Sequence, residues 1–496
     1  MKTLFLLGWF VALVLLPSFA QAEVVVEEVE ADGGTVTVFH MTVTPAPEPV
    51  PALKHRLWSR PQDLQPGNSV VYYLRAFPEG GMEQSWKRLH EQYGDAVDEW
   101  YRNDHPISKL PLDKVRIAAG YFEERIKQMI RPGTLCRDTD WGDDALNVRG
   151  LETITYLLPH IQVMRAIGRA LCLRTRFAIA EHRYEDAIDG LRMNYRLGHD
   201  VGQDLFLVSA LVGIAIEGLA NNNVIDLIAA SDSPNLYWAL AEVPEPLVDG
   251  RRAMQLDITI APRIVPALLD AETAQHSPAQ WAQLVTDGLR EFSYVDSYYG
   301  SSFVPLIESS MTGLAATGIG LFAYPDAKRR LIAAGKTLAE VEKMPVGQVL
   351  FVDAAREYRR ISDEHEKWWY VPYREAGDYY QRAVATLETG NTINLGARMA
   401  QVLLPAMRSY RNAQMRSQWQ RNAFLTLEAL RMHAAVAGKF PETLDEITVV
   451  PVPDNPITEE PYVYRLDGEM AVLELPFSDG MPGVSWRFEM KLAEKE

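Results

Sequence analysis

Four carboxylates crowd one short stretch of the chain: Asp138, Asp140, Asp143 and Asp144 surround Trp141 in the polar loop that begins at Arg137. Oxygen ligands at alternating loop positions suit a hard cation, so these four are the candidate metal site, with calcium the fitting ion. No EF-hand pattern is present, and a solvated acidic loop in an acidic protein is the competing explanation. A second stretch, Lys367-Trp368-Trp369-Tyr370-Val371-Pro372-Tyr373 followed by Tyr379-Tyr380, is the densest aromatic run. Trp141, Trp368, Trp369, Tyr370 and Tyr373 are the candidate ligand contacts, ring faces on which a peptide or sugar would stack. The competing role is structural, since aromatic clusters at helix ends close cores.

Other chemistries lack a complete set of parts. Gly335-Lys336-Thr337 imitates the end of a phosphate loop, but the position that requires glycine holds Arg330, and a basic helix rather than a strand precedes it. Gly318-Ile319-Gly320 imitates a dinucleotide fingerprint without the βαβ unit that gives one meaning. Of the 10 histidines, none lies three to five residues from another, so no two share a helix face as zinc pairs do. No Gly-x-Ser-x-Gly elbow occurs. No catalytic residue and no cofactor other than the calcium candidate emerges.

Composition is that of a globular protein, with 47% hydrophobic and 23% charged residues. A formal charge of −17 repels phosphate backbones and anionic lipid, which disfavours nucleic acid as a partner. The 496 residues allow two or three domains and a core that needs no staple. The two cysteines, Cys136 and Cys172, could pair in an oxidising compartment; Cys172 lies in an apolar stretch where a free thiol also fits.

These candidates need elements to position them. Residues 1–22 carry Lys2, an apolar run from Leu4 to Leu16, and Ala20-Gln21-Ala22, the order of a cleaved secretory signal peptide. A periplasmic or secreted protein is expected, with no transmembrane span after cleavage. Residues 23–60 read as extended segments followed by a proline-rich linker, Thr44 to Pro51. Residues 61–437 read as helical. Within them, Leu151 to Glu181 and Tyr184 to Gly198 form a helical hairpin that resembles a tetratricopeptide unit. Asp204 to Ala230 is nearly all apolar, but Asp204, Glu217 and Asn221 to Asn223 mark it as a buried core helix. Residues 438–496 read as a small β-containing module whose hairpin turns at Asp467-Gly468.

Several stretches in order resemble a group of uncharacterised exported proteins of planctomycete bacteria: Pro51 to Leu57, Pro66-Gly67-Asn68, Cys136 to Trp141, Leu211 to Ile216, Ser233 to Ala241 and Met344 to Val349. That resemblance covers most of the chain and supplies no activity or ligand. The segment from Gly438 to Ile447, Asp454 to Thr458 and the hairpin is locally similar to the globular end of a type II secretion pseudopilin. The pseudopilin likeness implies a calcium position near Asp454 and Asp467.

The expectation is therefore a mainly α protein of stacked helical hairpins, an α-α superhelix with a small C-terminal β-hairpin module. The expected role is non-catalytic: an envelope scaffold that binds a protein or peptide partner. The alternative is an envelope hydrolase acting on glycan or peptide through a distributed carboxylate and aromatic site.

Overall fold

The computed structural model describes residues 24–31, 34–76, 81–103, 105–142, 144–150, 152, 159–298, 312–388, 394–476 and 484–493. The signal-like segment, Asp143 and the start of the helix expected from Leu151 lie outside them. The architecture is predominantly helical, with a small sheet on one side.

Helices begin where side chains satisfy the first backbone N–H groups. Asn68 accepts from Val70 to open α1 (Ser69–Leu74). A helix over Leu112–Arg125, α2, follows Pro111 and continues through one π-turn at Ile126–Ile130. The hairpin is α3 (Pro159–Ala180) and α4 (Tyr184–Gly202), joined by a three-residue turn. Next comes α5 (Leu207–Ala229), which is long and apolar enough to cross a membrane. Yet 67% of its most apolar stretch is buried among protein side chains. Its polar residues explain how it sits there. Asp226 pairs with Arg176 of α3 at 2.9 Å, and Asn221 accepts from Tyr195 of α4 at 2.9 Å. Helices α4 and α5 cross where Gly198 faces Gly213; a Cβ on Gly213 would lie 2.5 Å from the Gly198 carbonyl oxygen. No larger residue fits that crossing.

Further along lie α6 (Pro278–Tyr298), α7 (Thr312–Ala333), α8 (Val346–Glu366), α9 (Tyr373–Glu388), α10 (Leu395–Leu403) and α11 (Pro405–Ala437). The sequence suggests two helical pieces near Gly313–Phe322 and Pro325–Ala334. They are one helix, α7, with Pro325 inside it.

The sheet joins both ends of the chain. Its order is β1 (Val24–Ala31), β2 (Gly34–Val43), β7 (Ser485–Leu492), β6 (Met470–Leu475), β5 (Val463–Asp467), where β3 and β4 are a separate short pair at Gln65–Asn68 and Cys136–Asp138. β2 and β7 run parallel, placing Phe39 opposite Phe488 with rings stacked at 4.9 Å. The extended N-terminal segment and the C-terminal module, separate in the sequence reading, thus form one sheet. Its Trp486 packs on Trp419 and Phe424 of α11.

The proline-rich segment is likewise not a free spacer. Ala46 donates its N–H to the Arg431 carbonyl at 3.2 Å, and Arg431 donates to the Thr44 carbonyl at 3.1 Å. Asn235 holds the Ala46 carbonyl at 3.3 Å, and the Trp238 indole donates to Glu48 at 2.7 Å. Arg431 and its partner Glu428 are fully buried. The segment is a strap across α11. Both cysteines are buried and free: Cys172 meets Leu219 and Asn194 rather than Cys136, and burial pushes its thiol up to about 12.

Candidate functional site

The two candidate stretches do not meet. The acidic loop is tied to α1 and α4. Asn68 exchanges hydrogen bonds with the Asp140 backbone, donating to its carbonyl at 2.7 Å and accepting from its N–H at 3.0 Å. The Asp140 carboxylate accepts from the Gly142 N–H at 2.9 Å, closing a local turn. Trp141 donates its indole N–H to the Asp200 carbonyl at 2.8 Å and packs on His160. Asp200 itself, fully buried, accepts from Tyr73 at 2.8 Å and Thr139 at 2.9 Å, and pairs with Arg196.

Trp141 is thus occupied as an anchor. Asp138 and Asp140 are exposed. Asp143 is outside the described residues, and Asp144 opens a short 3₁₀ turn. Among the described residues no three His, Cys, Asp or Glu side chains group as metal ligands, and this includes Asp454 and Asp467.

The aromatic run does line a cleft. Trp369, Tyr370 and Tyr373 form one side of a space of about 370 Å³, within the range of small-ligand sites. Trp368 stands beside it, stacked on Tyr379 at 4.9 Å. The opposite side is the segment from Val243 to Arg251, with Pro246, Asp249 and Arg251 at the wall. The floor is α11, through Arg411, Gln414, Met415 and Gln418.

One helix positions both walls. Arg411, buried, donates to the Trp368 carbonyl at 2.6 Å and the Val371 carbonyl at 2.9 Å, and lies over the Tyr373 ring at 5.3 Å. That clamp fixes the aromatic run. Tyr410 stacks on Trp369 at 5.3 Å and donates its hydroxyl to the Val248 carbonyl at 2.7 Å. Gln414 donates to the same carbonyl at 3.1 Å. One and two turns further, Gln418 hydrogen-bonds Glu245, and Arg421 donates to the Val243 and Pro244 carbonyls at 2.9 and 2.7 Å. Spacings of three and four put Tyr410, Gln414, Ser417, Gln418 and Arg421 on one helix face.

Chemically, the cleft combines flat apolar faces with donors and acceptors. Tyr370 is 63% exposed. The indole N–H of Trp369 is buried with no acceptor. Behind the wall segment lies a buried carboxyl, Glu217 of α5. Burial pushes it up to about 7, against the pull of Ser417 and Arg421; Glu245 adds to the upward push.

Sequence reasoning found the rings but missed Asp249, Arg251, Gln414, Gln418 and Glu217 as their neighbours. Two signals were present: a polar stripe at helical spacing inside α11, and a glutamate within the most apolar stretch of α5. Comparison with known protein families, with curated proteins and with solved structures finds no match for this chain.

Proposed function

We propose that this chain is an exported, non-catalytic envelope protein whose helical hairpins, stacked in the tetratricopeptide manner, hold an extended peptide segment of a partner protein. The observation that carries the reading is the aromatic cleft, whose two walls are fixed by one face of α11. Aromatic-lined grooves suit extended proline-containing segments, which enter with little loss of chain entropy. The strap from Thr44 to Pro51 supports that chemistry: here a tryptophan N–H and an asparagine amide hold a proline-rich segment. The cleft is lined by the same residue classes, an indole ring in Trp369 and a carboxamide in Gln414. The hairpin α3–α4 supports the stacking.

The test is titration of the full chain with a synthetic TPAPEPVP peptide, followed by tryptophan fluorescence. Saturable binding, weakened by Tyr370→Ala and by Trp369→Leu in folded variants, is expected. Binding weaker than about 1 mM, or unaffected by both changes, overturns the proposal.

A hydrolase of glycan or peptide is the second reading, favoured by Asp249 on the cleft wall and Glu217 behind it. The Asp138–Asp144 loop, which shares no wall with the cleft, has no part in it. Fragment release from a chitin or peptide polymer by the wild type, lost in Asp249→Asn, would establish that activity instead.

A further inference from the structure

The wall of the cleft between Val243 and Gly250 is held by carbonyl and carboxylate contacts, and Arg421 makes three of them. Its guanidinium donates to the carbonyls of Val243 and Pro244 and pairs with Glu245. Arg421 and Glu217 line one small cavity, and the charge of the guanidinium acts on the Glu217 carboxyl.

The groups around Glu217 come from every element packed there: Ser417, Arg421 and Tyr410 from α11, Tyr195 from α4, and Glu245 from the wall. Glu217 also borders a cavity of about 10 Å³, which is the size of one water molecule. Pro246, Gln414 and Gln418 border that cavity and the cleft alike. These shared side chains link the surroundings of the buried carboxyl to the ligand space.

A carboxylate at this depth needs a charged or multiply donating partner. Among the described residues, Arg421 is the one cation whose charge acts on Glu217. Its two terminal nitrogens already hold the wall. When Glu217 carries a proton, Arg421 stays on Val243, Pro244 and Glu245, and the wall is closed. When Glu217 loses it, the new charge competes for Arg421, and water enters through the small cavity. The wall then loses the Arg421 contacts to its first three residues.

We propose that Glu217 is a proton-operated latch behind the cleft, with Arg421 as the part it moves. The proposal rests on the cleft being the ligand site. By linkage, a ligand that presses Pro246 and Asp249 into place also favours the protonated carboxyl, so binding takes up a proton and weakens as pH rises through neutrality.

Hydrogen exchange over residues 243–250 tests this in the full chain without any ligand. Wild type and Glu217→Gln are compared at pH 5.5 and pH 8, which cancels the intrinsic pH dependence of exchange. The expected result is equal protection at pH 5.5 and roughly tenfold lower protection in the wild type at pH 8. Equal protection at both pH values overturns the latch. Should Glu217→Gln not fold, wild-type protection factors at the two pH values decide alone: a selective loss over 243–250 at pH 8 supports the latch, and no loss overturns it.

The TPAPEPVP peptide supplies the second arm. Its binding by the wild type is expected to weaken several-fold from pH 5.5 to pH 8 and to stay constant in Glu217→Gln. If the exchange difference persists while the peptide fails to bind at either pH, the cleft reading falls and the latch stands as a property of the wall.

Discussion

The backbone N–H of Gly250 donates to the Tyr410 hydroxyl at 2.7 Å, and a Cβ on Gly250 would lie 2.4 Å from Cζ of that ring. The wall segment therefore lies directly against the aromatic residue that also stacks on Trp369. Tyr410 is the joint between the two sides of the cleft.

Gly250→Ala is expected to force the wall off Tyr410. Overpacking of a tight contact costs roughly 1–3 kcal/mol, and peptide affinity should fall with it. Urea denaturation and fluorescence titration read the two effects. Unchanged values in both would show that the wall does not need this contact.

Arg411→Met keeps the stem and removes the donors. The carbonyls of Trp368 and Val371 then lose their partners in a part-buried site, each costing about 1–3 kcal/mol. The aromatic run should loosen, seen as faster exchange and a red-shifted tryptophan emission. Lysine at this position should not rescue it, because one ammonium cannot reproduce the planar fork.

What the sequence disclosed follows from how local each signal is. The hairpin turn at Asp467-Gly468, the helix after Pro111 and the buried nature of α5 are read from neighbours in the chain. The aromatic run was visible for the same reason. The pairing of β2 with β7, the strap on Arg431 and the meeting of residues 368–373 with 243–251 depend on contacts between distant segments. No periodicity encodes these. The Asn68 and Asp200 contacts that organise the acidic loop are of the same long-range kind.

The contribution of Glu217 to stability should fall as pH rises from about 4.5 to about 7. Glu217 holds its proton in the fold up to about 7, while in the unfolded chain it ionises near 4.5. Below 4.5 both states are protonated and nothing is lost; above 7 the loss is complete, at roughly 3 kcal/mol. Asp257, also raised to about 7 by burial, adds a loss of the same sign. Glu217→Gln should remove part of the slope in chemical denaturation curves taken across this range. An unaltered slope would contradict the assignment of Glu217.

His365 acts at the acid side. It is 2% exposed, neither ring nitrogen has a partner, and burial lowers it to about 4. The unfolded chain binds a proton near 6.5 that the fold refuses, so stability is lost as pH falls from 6.5 towards 4. His365→Leu removes two unsatisfied polar atoms and the proton linkage together. It should be neutral or stabilising at pH 7 and flatten the acid limb of the melting profile.

The parallel register from Val36 opposite Ser485 to Val43 opposite Leu492 sets the order in which the molecule completes itself. Partners separated by nearly the whole chain contribute a very high contact order, and such contacts form late. Until β7 arrives, one edge of β2 stays open and the α11 face beneath Trp486 stays uncovered. During synthesis that interval lasts until β7 has emerged. Those seams are therefore where a chain that lacks β7 would associate with others, since an open strand edge and an uncovered apolar face both recruit partners.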